Sequence, residues 1–364
     1  MTKSATADLD AVALRGSRRS HLRVTDKDPM PRIRAIYRYP IKGLSPEPLR
    51  RVALTPGETI PGDRLYAIEN GPSGFDPQTQ PYLAKQHFLM LMKNERLAQL
   101  RTSFDHQTHT LTILFPSPCK GEDGAPTGPA RSGRPDDRLS APGGGPGSER
   151  RTHSDPHASP HPYPSPQGGG VKPQGGWETI RADLRTAPGR AAVEAFFAQF
   201  CADELRGPPR ILHAQAHSFS DVARKVVSII NLASVAAVET MLGAAVNPLR
   251  FRGNLYVDGL PPWRELDLVG QEFTITPHIP SPLAGEVGAP RPDRGAPGEG
   301  PPVRLKIIKR IVRCAATNVD PTTGARDLNI PQTLLRTFGH ADCGVYAEVV
   351  EGGEIAAGDT IELL

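Results

Sequence analysis

Two low-complexity segments interrupt the sequence and limit how much of the chain can fold. Residues 116–176 and 280–302 are rich in proline, glycine and charged residues, and they share a phrase, PSPCKGEDGAP in the first and PSPLAGEVGAP in the second. Segments with so few large apolar residues cannot bury enough surface to offset the entropy lost on ordering. We therefore predict two disordered insertions in surface loops, where folds tolerate extra residues.

The N-terminal segment has a similar character. Residues 1–29 lack the apolar region of a secretory signal and contain several aspartates, unlike a transit peptide. We predict a disordered extension, with Met30 as the working start of the protein. Without these three segments 251 residues remain for folded structure.

Short strand patterns separated by turns dominate the remaining sequence. Before residue 216 they include IRAIYRYPI, DRLYAIE and TLTILF, and residues 189–205 have the apolar spacing of an amphipathic helix. After it, VVSII predicts a strand, followed by a helix that Asn231 caps and Gly243 ends. The runs RFRGNLYVDG, EFTI, VYAEVV and TIELL predict further strands. The fold class is therefore α+β and mainly β, with an N-terminal β-rich domain at 30–215 and a small β-barrel with a few peripheral helices at 216–364.

Composition and motif content exclude several classes of protein. The net charge of +4 is small for 364 residues and gives no reason to expect nucleic-acid binding. The sequence has no GxGxxG after a strand and no GxxxxGK[ST], HExxH or GxSxG motif, which disfavours dinucleotide-binding folds, P-loop enzymes, zincins and α/β-hydrolases. The most apolar stretch, 226–246, contains Asn231 and Glu239 and predicts a buried segment of a soluble protein, with no membrane association.

The four cysteines do not form a recognisable cluster. Cys119, Cys201, Cys314 and Cys343 are widely spaced and include no CxxC pair. This spacing favours a reducing, cytoplasmic location and argues against a disulfide framework or a structural zinc site. Cys201 falls on the predicted helix, where we expect a small core residue.

Cys314 is the first candidate for chemistry. It ends the predicted strand RLKIIKRIVRC, follows Arg313 and precedes a polar turn, NVDPTTG. A neighbouring cation favours the thiolate, which is the reactive and metal-binding form of cysteine. The residues alone leave three roles open: a buried core cysteine, a nucleophile, or a ligand for a soft metal.

Basic residues give a second signal. Lys42 ends a predicted strand in YPIKG, and Arg64 follows a turn. Arg250, Arg252 and Asn254 alternate along the predicted strand RFRGN, so their side chains would project from one face. Such a face suits a phosphate or the polar edges of a planar heterocycle. The alternative is a solvated outer face of the sheet.

Two polar turns could complete such a site. The segment from Ser228 to Asn231 leads into a predicted helix, whose first N–H groups could bind an anion. The alternative for Asn231 is simple capping of that helix. Asp320, in NVDP, either positions a proton or caps the turn, and capping is the interpretation we favour.

In chain order, YPIKG, DRLYAI, RFRGNLYVDG and RCAATNVDPTTG resemble the MOSC proteins that have an N-terminal MOSC β-barrel domain. Within that family the chain resembles the mitochondrial amidoxime-reducing component and its bacterial relatives. The resemblance covers residues 30–364 apart from the insertions, and its most specific part is RC followed by TxVDPxTG. It implies a molybdenum cofactor (molybdopterin) whose metal is bound by Cys314. The cofactor-binding residues it implies are Lys42, Arg64, Ser228, Arg252, Asn254, Arg313 and Thr317.

The resemblance also implies a function. A molybdenum oxidoreductase of this kind reduces N-hydroxylated compounds, with Cys314 as the residue that fixes and tunes the metal. Because the cysteines do not cluster for an iron–sulfur centre, electrons would come from a separate partner, ferredoxin-like or a cytochrome or flavin reductase. The alternative is a cofactor carrier or sulfur-transfer protein that uses Cys314 and works with a pyridoxal-phosphate-dependent sulfurase. A non-catalytic binding module is the third interpretation.

Overall fold

The computed structural model describes residues 30–76, 79–80, 82–117, 176–214, 218–277 and 301–364. The predicted extension at 1–29 lies outside these residues, and so do Cys119 and nearly all of the two predicted insertions. The disorder of those segments, and Met30 as the start, therefore stay predictions.

Strands dominate the described residues, which confirms the predicted α+β, mainly β fold class. The strands are β1 (Arg32–Arg38), β2 (Glu47–Leu49), β3 (Arg51–Leu54), β4 (Tyr66–Glu69), β5 (Arg101–Asp105), β6 (Thr110–Pro116), β7 (Trp177–Asp183), β8 (Arg210–His213), β9 (Val227–Asn231), β10 (Leu255–Asp258), β11 (Glu272–Thr276), β12 (Val303–Val312), β13 (Asp342–Glu351), β14 (Gly353–Ala356) and β15 (Thr360–Leu363). The α-helices are α1 (Ala187–Phe200), α2 (Leu232–Leu242) and α3 (Ile330–Phe338). None of the helices in the described ranges is long and apolar enough to cross a membrane.

Seven strands close into a barrel in the order β10-β9-β13-β12-β11-β15-β1, and β1 closes the circle by pairing with β10. In that closing pair Ile36 lies opposite Leu255. The pairs are antiparallel except β9 with β10, which is parallel. A parallel pair needs a crossover connection, and α2 lies within the one that joins these two strands.

The barrel interior is filled by apolar side chains. Buried and more exposed residues alternate along β11 and through most of β12, as expected for strands with one face on a core. Branched and aromatic residues such as Val227, Phe273, Leu305, Val345 and Ile361 meet in one buried cluster. Because this interior is packed and apolar, a polar binding site has to lie outside it.

The region before residue 215 builds a second core. The β5-β6-β7 sheet, the β4–β8 pair and α1 enclose a cluster that includes Ile68, Ile113 and Phe197. Cys201 is fully buried there, which confirms its prediction as a core residue. Val319, from the C-terminal half, packs into the same cluster. This region also supplies β1 to the barrel and pairs β3 with β14, so the predicted division at residues 215 and 216 stays a prediction.

The two predicted helices are present, with small shifts of their ends. Asn231 caps α2 by accepting a hydrogen bond from the Ala233 N–H at 3.1 Å, and Gly243 ends it in a left-handed conformation. Helix α1 ends at Phe200 rather than near residue 205, because a short 3-10 turn follows it. Helix α3 was not predicted from the sequence.

The predicted strand through RFRGN is wrong. The four residues Pro248–Phe251 form a 3-10 turn, and β10 begins only at Leu255. Asn247 caps this turn by accepting from the Leu249 N–H at 3.0 Å. Pro248 favours the turn because its ring fixes φ and its nitrogen cannot donate to a sheet.

Candidate functional site

A cavity of about 230 Å³ lies between the barrel and the loops of the N-terminal region. Strand β9, the end of β12 and the loops after β1 and before β4 all contribute to its walls. It brings together all of the residues predicted to form the site: Lys42, Arg64, Ser228, Arg252, Asn254, Arg313, Cys314 and Thr317.

Two arginines of the cavity enclose one aromatic ring. The guanidinium carbons of Arg64 and Arg252 lie 4.8 and 4.2 Å from the ring centroid of Tyr39, which is fully buried. Arg64 Nη2 donates to the Arg252 carbonyl at 3.1 Å, and Arg252 Nη1 donates to the Leu44 carbonyl at 2.9 Å. Both arginines have φ of 50°, a conformation that is uncommon without glycine and is found mostly where surrounding structure enforces it. The two guanidinium groups are therefore held in place before any ligand binds.

Lys42 is buried and bound to a carboxylate. Its Nζ donates to Asp221 Oδ1 at 2.6 Å and to the Phe219 carbonyl at 2.8 Å. Burial lowers the pKa of Lys42, and Asp221 acts in the opposite direction. For Asp221 itself burial acts to raise the pKa, but Lys42 and Lys85 outweigh it and hold that pKa below its usual value. Lys42 and Asp221 therefore form an ion pair on the wall of the cavity.

Arg313 leaves one donor free. Its Nε donates to the Cys343 carbonyl at 2.6 Å and its Nη1 to the Phe251 carbonyl at 2.9 Å. Its Nη2 is buried without a hydrogen-bond partner among the described residues. A side chain at Gly344 would place its Cβ 2.8 Å from this nitrogen, so glycine is needed there. An unsatisfied buried donor costs about 1–3 kcal/mol, so this nitrogen lowers the stability of the fold.

Cys314 follows β12 by two residues and lines the cavity half-buried. Its carbonyl accepts hydrogen bonds from the N–H and the hydroxyl of Thr317, both at 3.0 Å. Thr317 thus fixes the turn that carries the thiol. By contrast, Cys201 and Cys343 are buried, and burial raises the pKa of each to about 12.

Ser228 and Asn254 bind each other. Ser228 Oγ donates to Asn254 Oδ1 at 2.7 Å, and Asn254 Nδ2 donates to the Tyr37 carbonyl at 3.1 Å. Ser228 to Asn231 lie within β9 rather than in a turn, and the Ser228 N–H is bonded to Asn254, so an anion-binding role of the start of α2 stays a prediction. For Asn231 the capping alternative is confirmed.

Arg250 and Arg252 both line the cavity, but they do not alternate along a strand, because a 3-10 turn and the positive φ of Arg252 replace the predicted strand, and their partners differ. Arg250 Nη1 donates to the Asn318 carbonyl at 3.0 Å, and its Nη2 contacts Asp327 at 2.8 Å and Asp320 at 3.1 Å. Asp320 Oδ1 also accepts from two N–H groups of its own turn, which confirms capping. We call Arg250, Asp320 and Asp327 the Arg250 cluster.

The donor set fits a molybdenum cofactor. Cys314 offers a thiol, the kind of ligand that soft metals prefer. We call Lys42, Arg64, Arg252 and Arg313 the cavity cations; such groups bind phosphate and the polar edges of heterocycles.

Fold and site together define a mainly β protein with a closed seven-stranded barrel and a basic side cavity that contains a cysteine. The family model described as "MOSC domain" matches residues 214–362, so this part of the chain is a MOSC domain. MOSC domains are associated with binding of the molybdenum cofactor.

Two solved structures resemble the chain. YiiM from Geobacillus stearothermophilus is 15% identical, with 38% of this chain and 53% of that chain covered and a TM-score of 0.25. This chain thus spans about half the length of YiiM. The YuaD protein from Bacillus subtilis is 10% identical, with 93% and 97% covered and a TM-score of 0.33. These TM-scores are too low to carry an argument about the site. A comparison with curated proteins found no match.

Sequence reasoning missed several residues of this cavity. Tyr39, Asp63, Lys85 and Asp221 all contribute to it, by stacking or by ion pairs. Tyr39 stands in YPIKG, where an aromatic three residues before Lys42 was a usable signal. Asp221 had none, because its partner Lys42 is far away in the sequence.

Proposed function

We propose that the chain binds a molybdenum cofactor in this cavity and is an oxidoreductase that reduces N-hydroxylated compounds. The observation that supports this best is the position of Cys314, a half-buried thiol on the wall of the cavity that the four cavity cations also line. A simple anion site would not need a thiol.

The chain's own residues divide into two groups in this proposal. Cys314 binds the metal, and Thr317 holds the turn that carries it. Lys42, Arg64 and Arg252 bind the phosphate and the pterin edges. When bound, the molybdenum centre would supply two-electron redox chemistry that removes the oxygen of the substrate as water.

The remaining predicted residues act around this centre. Arg313 lines the cavity and holds the carbonyls of Phe251 and Cys343. Ser228 and Asn254 fix β9 against the start of β10.

Electrons come from a separate partner protein in this proposal, ferredoxin-like or a cytochrome or flavin reductase. Val312, two residues before Cys314, lines the cavity and is 66% exposed. The thiol side of the cavity is therefore open to solvent and could face such a partner or a small substrate.

Metal and pterin analysis tests the proposal. We would produce the wild type, Cys314→Ser and Cys201→Ala in a host that makes molybdenum cofactor. We expect stoichiometric molybdenum in the wild type and in Cys201→Ala, whose change lies in the other core, and about a tenfold or greater loss in Cys314→Ser. Reduction of N-hydroxylated substrates with an artificial electron donor would follow. A well-folded wild type without molybdenum, or an unchanged metal content in Cys314→Ser, would contradict the proposal.

The second candidate function is a cofactor carrier or sulfur-transfer protein. It is favoured by the partial exposure of Cys314, which leaves the thiol open to a sulfurase partner. A persulfide on Cys314, seen as one added sulfur by mass spectrometry, together with cofactor binding but no turnover, would support this function over the reductase.

A further inference from the structure

Asp221 lies in the cavity between two lysines. Its Oδ1 accepts from Lys42 Nζ at 2.6 Å, and its Oδ2 accepts from Lys85 Nζ at 3.3 Å. Lys42 is only 6% exposed, whereas the side chain of Asp221 is 43% exposed. A carboxylate that solvent can reach therefore covers a buried ammonium group.

The two cavity carboxylates are bound in different ways. Asp63 is buried, with one oxygen accepting from the Tyr39 N–H at 2.8 Å and the other pairing with Arg64. It is therefore part of the framework that positions the arginines. The contacts of the Asp221 carboxylate are instead to two lysine side chains, which a ligand could take over.

The chain around Asp221 is anchored on both sides. Ser218 Oγ donates to the Asp63 carbonyl at 2.8 Å, the N–H of the buried Phe219 donates to the Arg64 carbonyl at 3.0 Å, and Arg224 pairs with Glu348. Residues 220–223 lie between these anchors. Asp221 can therefore leave Lys42 by a local movement that does not disturb β9, which begins at Val227.

We propose that Asp221 occupies the position of an anionic ligand group at Lys42 and selects for phosphate, because the ligand has to displace it. A monocarboxylate offers Lys42 and Lys85 no more than Asp221 already provides. A phosphate group carries a charge of about −1.5 to −2 and three strong acceptor oxygens, so it can bind both lysines and a cavity arginine together. The proposal rests on the proposed cofactor site, since it assigns the cofactor's phosphate to Lys42.

Phosphate binding to the cofactor-free protein tests this inference. We would titrate inorganic phosphate and acetate by calorimetry, at fixed ionic strength, into the wild type, Asp221→Asn and Glu58→Gln. The last variant is the matched control, because it removes one carboxylate from a lysine pair outside the cavity, that of Glu58 with Lys225. We expect Asp221→Asn to bind phosphate about tenfold or more tightly than the wild type does, and Glu58→Gln to bind like the wild type. Acetate binding should be detectable only in Asp221→Asn.

A further substitution and a second measurement complete the test. Adding Lys42→Gln to Asp221→Asn should abolish the gain in phosphate affinity. In the wild type, phosphate but not acetate should speed amide hydrogen exchange of residues 220–223, and this holds even if Asp221→Asn fails to fold. Equal phosphate affinity with and without Asp221, or unchanged exchange, would overturn the inference. Because none of these measurements involves molybdenum or Cys314, failure here and failure of the metal analysis are distinguishable.

Discussion

Arg250 and Arg252 stand two residues apart and both line the cavity, but their partners have opposite charge balance. In the Arg250 cluster one buried guanidinium meets two carboxylates, Asp320 and Asp327, and a carbonyl. In the cavity, Arg252 meets a ring, a carbonyl and a second arginine, Arg64. The first region has more carboxylates than cations, although Arg250 Nε has no hydrogen-bond partner among the described residues, whereas the second carries an excess of positive charge.

The difference separates structural arginines from binding arginines. A buried ion pair that lacks one partner is strongly destabilising, so the Arg250 cluster has to stay intact for the fold. A group of cations with few carboxylates gains most when an anion arrives. The number of arginines in a segment therefore predicts a binding site poorly. The hydrogen-bond and ion-pair partners of each arginine distinguish a structural role from a binding role.

Arg250→Met should give the largest loss of stability in this comparison. Arg250 is 4% exposed, and its removal leaves Asp320 and Asp327 without their shared cation. We expect the free energy of unfolding to fall by about 3–5 kcal/mol, measured by urea denaturation. A loss below about 1 kcal/mol would mean that the cluster behaves like a surface ion pair, and the contrast with the cavity would fail.

Arg252→Met should affect cofactor binding more than stability. Burial lowers the pKa of Arg252, and the charge of Arg64 adds to the effect, so removing this cation also relieves repulsion. We expect a smaller loss of stability than in Arg250→Met but about a tenfold or greater drop in bound cofactor, measured by pterin analysis of both variants. Normal cofactor content in Arg252→Met would remove it from the proposed binding set.

Acid pH should weaken the Arg250 cluster through Asp320. Burial acts to raise the pKa of Asp320, but the N–H groups of its turn and Arg250 outweigh it and hold the pKa below 3.8. Because the folded pKa lies below the unfolded one, the carboxylate stabilises the fold above pH 3.8, and this contribution is lost as the pH falls through the folded pKa.

Asp320→Asn tests that pH dependence. Asparagine keeps an acceptor for the turn but loses the charge. We expect the variant to be less stable than the wild type by about 1–2 kcal/mol at neutral pH, with the difference shrinking as the pH falls below 3.8. Urea denaturation at several pH values measures it. A difference that stays constant with pH would show that charge is not what Asp320 contributes.

The sequence predicted the barrel and many of the residues that line the cavity. It predicted the geometry of those residues less well. Alternating runs such as β11 were visible because apolar periodicity is local, and Asn231 and Gly243 marked α2 for the same reason. The motif around Cys314 named the right neighbours for the cavity. The strand through Arg250 and Arg252 was wrong because Pro248 and its cap, Asn247, outweighed the alternating pattern.

The remaining features depend on contacts between distant parts of the chain. The pairing of Asp221 with Lys42 joins residues on two separate segments, and no spacing rule connects them. The free Nη2 of Arg313 results from the path of Phe251 and Cys343 around it. The parallel pair β9–β10 within an otherwise antiparallel barrel likewise follows from the crossover, not from either strand's own pattern.

The smallest effect is expected for an ion pair that is balanced but exposed. Arg51 Nη1 contacts Glu354 Oε1 at 2.8 Å across the β3–β14 pair, with side chains 67% and 55% exposed. The geometry resembles that of the Arg250 cluster, yet water screens both charges and the side chains are ordered at an entropic cost. We expect Arg51→Met to change the free energy of unfolding by less than about 1 kcal/mol and to leave cofactor content unchanged. If it instead approached the effect of Arg250→Met, charge balance alone would explain both pairs, and burial could no longer be the reason that the Arg250 cluster matters.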